Sequence, residues 1–328
     1  MKRIGPYTVL EELGRGGMAV VYRARDAAGR DVALKVLPRD KGAKALRRFE
    51  REVSALGQFA QHPHVVNVHA AGEADGVAYF AMALAAHGSL TQRVSRRGAY
   101  APEAAARLAA DLAEGLIAAH SHGVLHRDLK PDNVLFNDAD EAVVSDFGLA
   151  RQVVDAESLT QSGNMLGSPG YMAPEQIRGD GDEQGERTDV YGLGATLYFA
   201  LTGQAPFEGE HLAGIVHGTL EERPAAPSTL NPAVPPDLDQ LCLRCLEKDP
   251  AARYPSMAAL HAELTAFLAG VPIAAEQSRL AKVAVAACVL TALSVTASWL
   301  VVRGRSATEA AEQGLHGPRA PKPEPRLG

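Results

Sequence analysis

The strongest constraint on this chain is a change of hydrophobic period near residue 85. Before it, YTVLEEL, AVVYRARD, RDVALKVL, VVNVHAAGE and VAYFAMAL read as short strands, interrupted by the helix-like run KALRRFEREVSALGQ. From about Leu90 the pattern turns helical. APEAAARLAADLAEGLIAAHSHG opens with the first-turn proline Pro102 and sets Leu108, Leu112, Leu116 and Ala119 on one face. The expected fold class is α+β with two lobes, a small β-rich N-terminal lobe and a larger α-helical C-terminal lobe. A content of 46% apolar and 22% charged residues excludes collagen-like and wholly disordered chains. A net charge of -6 supplies no basic field, so no nucleic-acid partner is expected.

A different composition begins after Phe267 and Gly270. Val283 to Val302 carries no charged residue and is bounded by Lys282 and Arg303. At about 1.5 Å per residue this run matches the roughly 30 Å hydrocarbon core of a bilayer. Two readings compete: a transmembrane helix, and a buried helix made tolerable by Thr291, Ser294, Thr296 and Ser298. The shortage of a polar face favours the transmembrane helix. The chain then divides into a domain over 7–268, a juxtamembrane linker over 269–282, a membrane helix over 283–302 and a disordered Pro-rich tail over 303–328. MKRIGPYTVLEELG does not read as a secretory signal, so the N-terminal body is expected in the cytosol, and no sensor domain is expected after the helix. The cysteines Cys242, Cys245 and Cys288 are too few for a disulfide framework. Cys242 and Cys245 spell CxxC, but they recur with Leu238 and Leu241 at helical spacing and read as helix core rather than a metal site.

Chemistry-bearing residues cluster in four places. Gly14, Gly16 and Gly17 form a glycine-rich turn that leads into a strand, AVVYRAR, where a dinucleotide-binding loop would lead into a helix. Lys35 lies in the apolar strand VALKVL, where an unpaired ammonium is costly. Glu52, on the same helix face as Phe49, Val53 and Leu56, is its expected partner. HRDLKPDN spans His126 to Asn133, and SDFG places Asp146, Phe147 and Gly148 shortly after it.

With APE at Ala173 to Glu175, these motifs resemble in content and order the eukaryotic-like protein kinases, and within them the bacterial membrane-anchored serine/threonine kinases. The resemblance covers Tyr7 to about Phe267. It implies an ATP-dependent enzyme that phosphorylates Ser and Thr hydroxyls of proteins, using Mg2+ or Mn2+. Asp128 then orients the attacking hydroxyl, Lys130 faces the transferring phosphate, and Lys35, positioned by Glu52, meets the phosphate oxygens. Asn133 and Asp146 supply oxygen ligands to the metal. By the same resemblance Leu13, Gly14, Gly16, Gly17 and Val21 cover the nucleotide, and Ala33 and Leu135 line the adenine faces. Met82 guards the back of the pocket, and the backbone of Ala83 and Ala85 bonds the base. Ala19 stands where the family has a third loop glycine, and position 83 lacks the family's frequent acidic residue.

The resemblance also implies that Arg127 grips a phosphorylated residue of the segment Asp146 to Glu175, where Thr160 and Ser162 are the expected autophosphorylation sites and Ser158 a further hydroxyl. By the same resemblance Ser168 is expected to bridge Asp128 and Lys130, Glu175 to pair with Arg253, and Asp189 to hold the catalytic loop's backbone. The charges flanking the apolar run, Arg279 and Lys282 against Arg303, Arg305 and Arg319, do not favour a cytoplasmic N-terminal side. The need for ATP does, and it sets the expectation of a single-pass inner-membrane protein with its kinase domain in the cytoplasm. Helix-mediated homodimerisation is one route for a stimulus. Two rival functions remain: a catalytically silent membrane scaffold, against which Lys35, Asp128, Asn133 and Asp146 all speak, and a small-molecule kinase, against which GSPGYMAPE speaks.

Overall fold

The computed structural model describes residues 2–16, 19–38, 61–147, 169–209 and 211–271, together with 46, 49, 50, 53 and 57. Residues 1–271 form one compact unit. Its N-terminal lobe is an antiparallel sheet of β1 (Arg3–Ile4), β2 (Tyr7–Arg15), β3 (Val20–Arg25), β4 (Asp31–Val36), β5 (Val68–Ala74) and β6 (Val77–Ala83), in the order β1-β2-β3-β4-β6-β5.

Period-two alternation separates the sheet's two faces. Ile4, Tyr7, Ala24, Val32, Leu34, Val36, Tyr79 and Ala81 build the core on one side. Directly opposite residues share a face, so the register Val21↔Lys35, Lys35↔Phe80 and Ala33↔Met82 puts Val21, Ala33, Lys35, Phe80 and Met82 together on the other. Phe49, helical and buried, packs its ring 5.1 Å from that of Phe80 on this second face.

The segment read as VVNVHAAGE is not strand throughout. Val65 and Val66 dock instead on the C-terminal lobe, with Val66 N donating to Val144 O at 3.0 Å and Val144 N to His64 O at 2.9 Å. These bonds leave β5 to begin at Val68.

The C-terminal lobe opens with α1 (Leu90–Arg97), capped by a reciprocal Ser89 and Gln92 box. α2 (Pro102–Ser121) follows, and its expected inward residues Leu108, Leu112, Leu116 and Ala119 are all buried. β7 (Val134–Phe136) and β8 (Ala142–Val144) pair as a two-stranded sheet that the helical pattern had hidden. Beyond residue 168 come α3 (Pro174–Arg178), α4 (Glu186–Thr202), α5 (Leu212–Glu221), α6 (Pro227–Leu230), α7 (Pro236–Cys245) and α8 (Met257–Leu268). α4 is buried along almost its whole length, and α2 and α7 pack on it. Cys242 and Cys245 lie fully buried on α7 beside Leu238 and Leu241, as helix core. Burial pushes both thiols up, Cys245 to about 12. Among the described residues no helix is long and apolar enough to cross a membrane. The expected span over 283–302 lies outside them, as do the linker and the tail.

Candidate active site

The site is built where the second face of the sheet meets the loop between α2 and β7. Lys35 leaves β4 on that face, and its Nζ donates to Asp146 Oδ1 at 2.6 Å, joining the two lobes. Asp146 follows β8 with φ 55, a left-handed turn that swings its carboxylate toward the lysine. Desolvation works to raise the Asp146 carboxyl. The Lys35 ammonium, through its charge and hydrogen bond and aided by His126 and Lys130, offsets it and holds the group below the usual carboxylate range. Glu52, the expected partner of Lys35, lies outside the described residues, as do Gly17 and Gly148.

The catalytic-type loop is held from beneath. Asp189, near the start of α4, accepts from His126 N at 2.8 Å, Arg127 N at 2.7 Å and His120 Nε2 at 2.7 Å. The expected role of Asp189 is thus met, and His120 is an additional partner that no motif had marked. His126 is wholly buried. Its Nε2 donates to Ser145 O at 2.9 Å, which leaves Nδ1 to accept from Asp128 N at 3.2 Å. Burial lowers its pKa, consistent with a neutral ring.

On this base Lys130 Nζ donates to Asp128 Oδ2 at 3.1 Å, and Asn133 Nδ2 donates to Asp128 O at 2.8 Å. Engaging the amide nitrogen in the loop turns the amide oxygen into the group left to meet a cation. Asp146 and Asn133 together form a hard-oxygen donor set of the kind Mg2+ or Mn2+ prefers, so the residues present fit the expected metal.

The residues expected to meet the nucleotide come largely from β2, β3, β4, β6 and β7. Gly14 pairs with Val21 in the β2–β3 hairpin, and Gly16 N closes it onto Ala19 O at 2.9 Å. A Cβ built at Gly14 would meet nothing within 4 Å among the described residues. Leu13 is exposed before the turn, Ala33 and Met82 are buried side by side, and Ala83 and Ala85 lie in the connection between lobes. Leu135 comes from β7, bridged to Ser89. Val21, Ala33, Lys35 and Met82 share the second face of the sheet, an apolar surface that carries one ammonium.

A second polar network lies behind the loop. Arg253 donates to both carboxylate oxygens of Glu175, at 2.8 and 2.9 Å, with both side chains fully buried. This is the expected pair, and Thr188 Oγ1 joins it at 2.9 Å. Gln176 Nε2 donates to Arg127 O at 2.6 Å. Sequence reasoning missed Gln176 and Thr188, because a polar side chain near a helix start carries no signal of which distant carbonyl it will meet. Arg127 Nε is buried without a hydrogen-bond partner among the described residues. Ser158, Thr160, Ser162 and Ser168 lie outside them.

Comparison with known proteins agrees with this geometry. The model of the protein kinase domain matches residues 7–265. The serine/threonine-protein kinase PknB of Mycobacterium leprae is 36% identical over 273 residues, covering 81% of this chain and 43% of that protein. PknD of Mycobacterium tuberculosis is 38% identical over 258 residues, covering 77% and 38%, and a probable PknB of Lactococcus lactis 35% identical over 252 residues, covering 76% and 40%. The chain thus spans about two fifths of the length of these relatives. A solved structure of Rad53 1-466 in complex with AMP-PNP superposes with a TM-score of 0.65 at 24% identity, covering 78% of this chain and 64% of that one, and supports the two-lobed fold. The chain belongs to the protein kinase family, and within it is similar to bacterial serine/threonine kinases.

Proposed function

We propose that this chain is an ATP-dependent serine/threonine protein kinase that phosphorylates proteins, including its own activation segment, while anchored to a membrane. The carrying observation is the 2.6 Å bond between Lys35 of one lobe and Asp146 of the other, set over the Asp128, Lys130 and Asn133 cluster. Phosphoryl transfer asks for positioning and charge neutralisation more than for covalent chemistry, and this cluster supplies both. Asp128, half-buried and fixed through its backbone, accepts the hydrogen bond of the incoming hydroxyl and orients its oxygen. Lys130 neutralises charge beside it, and Lys35 holds phosphate oxygens. Magnesium or manganese, when bound, supplies a hard cation that screens the phosphate charge, and Asn133 and Asp146 are the residues that would hold it.

Autophosphorylation at Thr160 and Ser162 finds support in Arg127, whose buried Nε has no partner among the described residues. Phosphate is the ligand such a guanidinium edge takes most readily. The uncharged run over 283–302 supports a single inner-membrane span with the kinase domain in the cytoplasm, where ATP is, and pairing of such helices would make a homodimer. The acidic net charge supports protein substrates over nucleic acid.

The test uses the full chain in detergent with labelled ATP and magnesium, beside Asp128→Asn. Label that enters the chain and a basic protein substrate, and vanishes in the variant, is the expected result. Nucleotide binding without transfer in the wild type would overturn it in favour of a scaffold.

A further inference from the structure

We infer that Gln176 is a positioning residue for phosphoryl transfer, clamping the carbonyl of Arg127 and thereby fixing the backbone that carries Asp128. The inference rests on the kinase reading for its catalytic consequence, and on geometry alone for the clamp.

Arg127 has φ 62, a left-handed conformation that an ordinary side chain adopts only where its surroundings over-determine it. Two contacts do so from opposite sides. Asp189 Oδ1 accepts from Arg127 N at 2.7 Å, and Gln176 Nε2 donates to Arg127 O at 2.6 Å. The carbonyl so held belongs to the peptide unit that leads directly into Asp128. Losing either contact frees this backbone to relax toward the ordinary region, and it turns Asp128 as it does so.

Gln176 is suited to the task because neither end of its amide is free to turn. It is buried at 8% exposure, and its Oε1 accepts from Ala173 N at 3.1 Å. A carbonyl on one side and an N–H on the other admit only one orientation of the amide. Its helix is equally fixed, because the adjacent Glu175 is locked in the buried pair with Arg253 and Thr188. A glutamate at 176 keeps the length and the cap on Ala173 but sets an anionic oxygen against a carbonyl. When protonated, the same group donates again.

The test compares full-length wild type, Gln176→Glu and Gln176→Leu in detergent, for kcat and the KM for ATP between pH 5.5 and 8.5. Hydrogen exchange of the peptide over 124–136 is followed in parallel by mass spectrometry. At pH 8 kcat of Gln176→Glu is expected to fall by about tenfold or more, the cost of a small misplacement, with the KM for ATP within about twofold of wild type. Its ratio to wild type climbs as pH falls, whereas that of Gln176→Leu stays low and flat. Exchange in the 124–136 peptide quickens in both variants while the rest of the chain is unchanged. A Gln176→Glu enzyme equal to wild type in kcat and in local exchange overturns the inference, as does exchange that quickens across the whole chain. Should Gln176→Leu fail to fold, the isosteric Gln176→Glu decides alone. A wild type that transfers no phosphate sinks the kinase reading, and the exchange measurement still decides the clamp.

Discussion

At the residue scale the molecule depends on a few buried charges that are tolerable only in company. Glu175 and Arg253 are both fully buried, and Arg253 also donates to the carbonyls of Arg187, Glu247 and Lys248. Replacing one partner strands the other in a medium that cannot solvate it. Arg253→Met is expected to cost about 3–5 kcal/mol of stability, measured by urea unfolding, and adding Glu175→Gln should recover part of the loss. Asp189 behaves differently, because its role is visible in pH. Desolvation works to raise its carboxyl, but the hydrogen bond from His120, the nearby imidazoles and the Arg127 N–H together hold it lowered. A carboxylate held below its unfolded pKa contributes its stability above about pH 4 and loses it as pH falls through the lower folded value. Urea midpoints of wild type should therefore drop below about pH 4, and Asp189→Asn should show a shallower dependence in that window. An unchanged slope would mean that other carboxylates govern acid unfolding.

At the element scale, close approach sets some residues against their local preference. Gly115 sits inside α2, where alanine favours the helix by about 1 kcal/mol. A Cβ there would stand 2.6 Å from His64 O, and that carbonyl is already committed to Val144 N. The segment 62–66 cannot yield without breaking its dock on β8. Overpacking of this kind costs about 1–3 kcal/mol and outweighs the propensity gain, so Gly115→Ala is expected to lower the unfolding midpoint. A raised midpoint would show that the segment moves aside freely. The elements themselves were largely legible. The inward face of α2 followed from spacing, and the sheet strands from alternation. The β7–β8 pair was not, because three-residue strands carry too little periodicity to stand out. The early part of VVNVHAAGE was misread because an apolar β-branched run looks the same whether it pairs within its own sheet or docks on another lobe.

At the scale of the whole molecule the central contact is the Lys35 to Asp146 bond, formed across 111 positions of sequence. Lys35→Met is expected to reduce phosphoryl transfer by about a hundredfold or more, read in the labelled-ATP assay at saturating nucleotide, since one aimed cationic donor is removed from the site. Activity within a few fold of wild type would show that the lysine does not meet the phosphates. Anchoring is tested at the same scale. The full chain should sediment with membranes and need detergent for release, and deletion of 283–302 should render it extractable by buffer alone; a full chain that buffer releases would refute the anchor.

The residues by themselves determined the type of chemistry, because the order and spacing of the Gly-rich turn, Lys35, HRDLKPDN and DFG are local features written within short stretches of chain. They also determined which faces are apolar, since periodicities of 2 and 3.6 are properties of the strand and helix backbones. What only the tertiary structure decided is which polar groups meet across long separations. His120 under Asp189, Thr188 beside Glu175 and Gln176 on the Arg127 carbonyl all arise where separate elements pack together. A hydrogen bond is set within a few tenths of an ångström by both partners' backbones, and one partner's sequence position says nothing of where the other will stand.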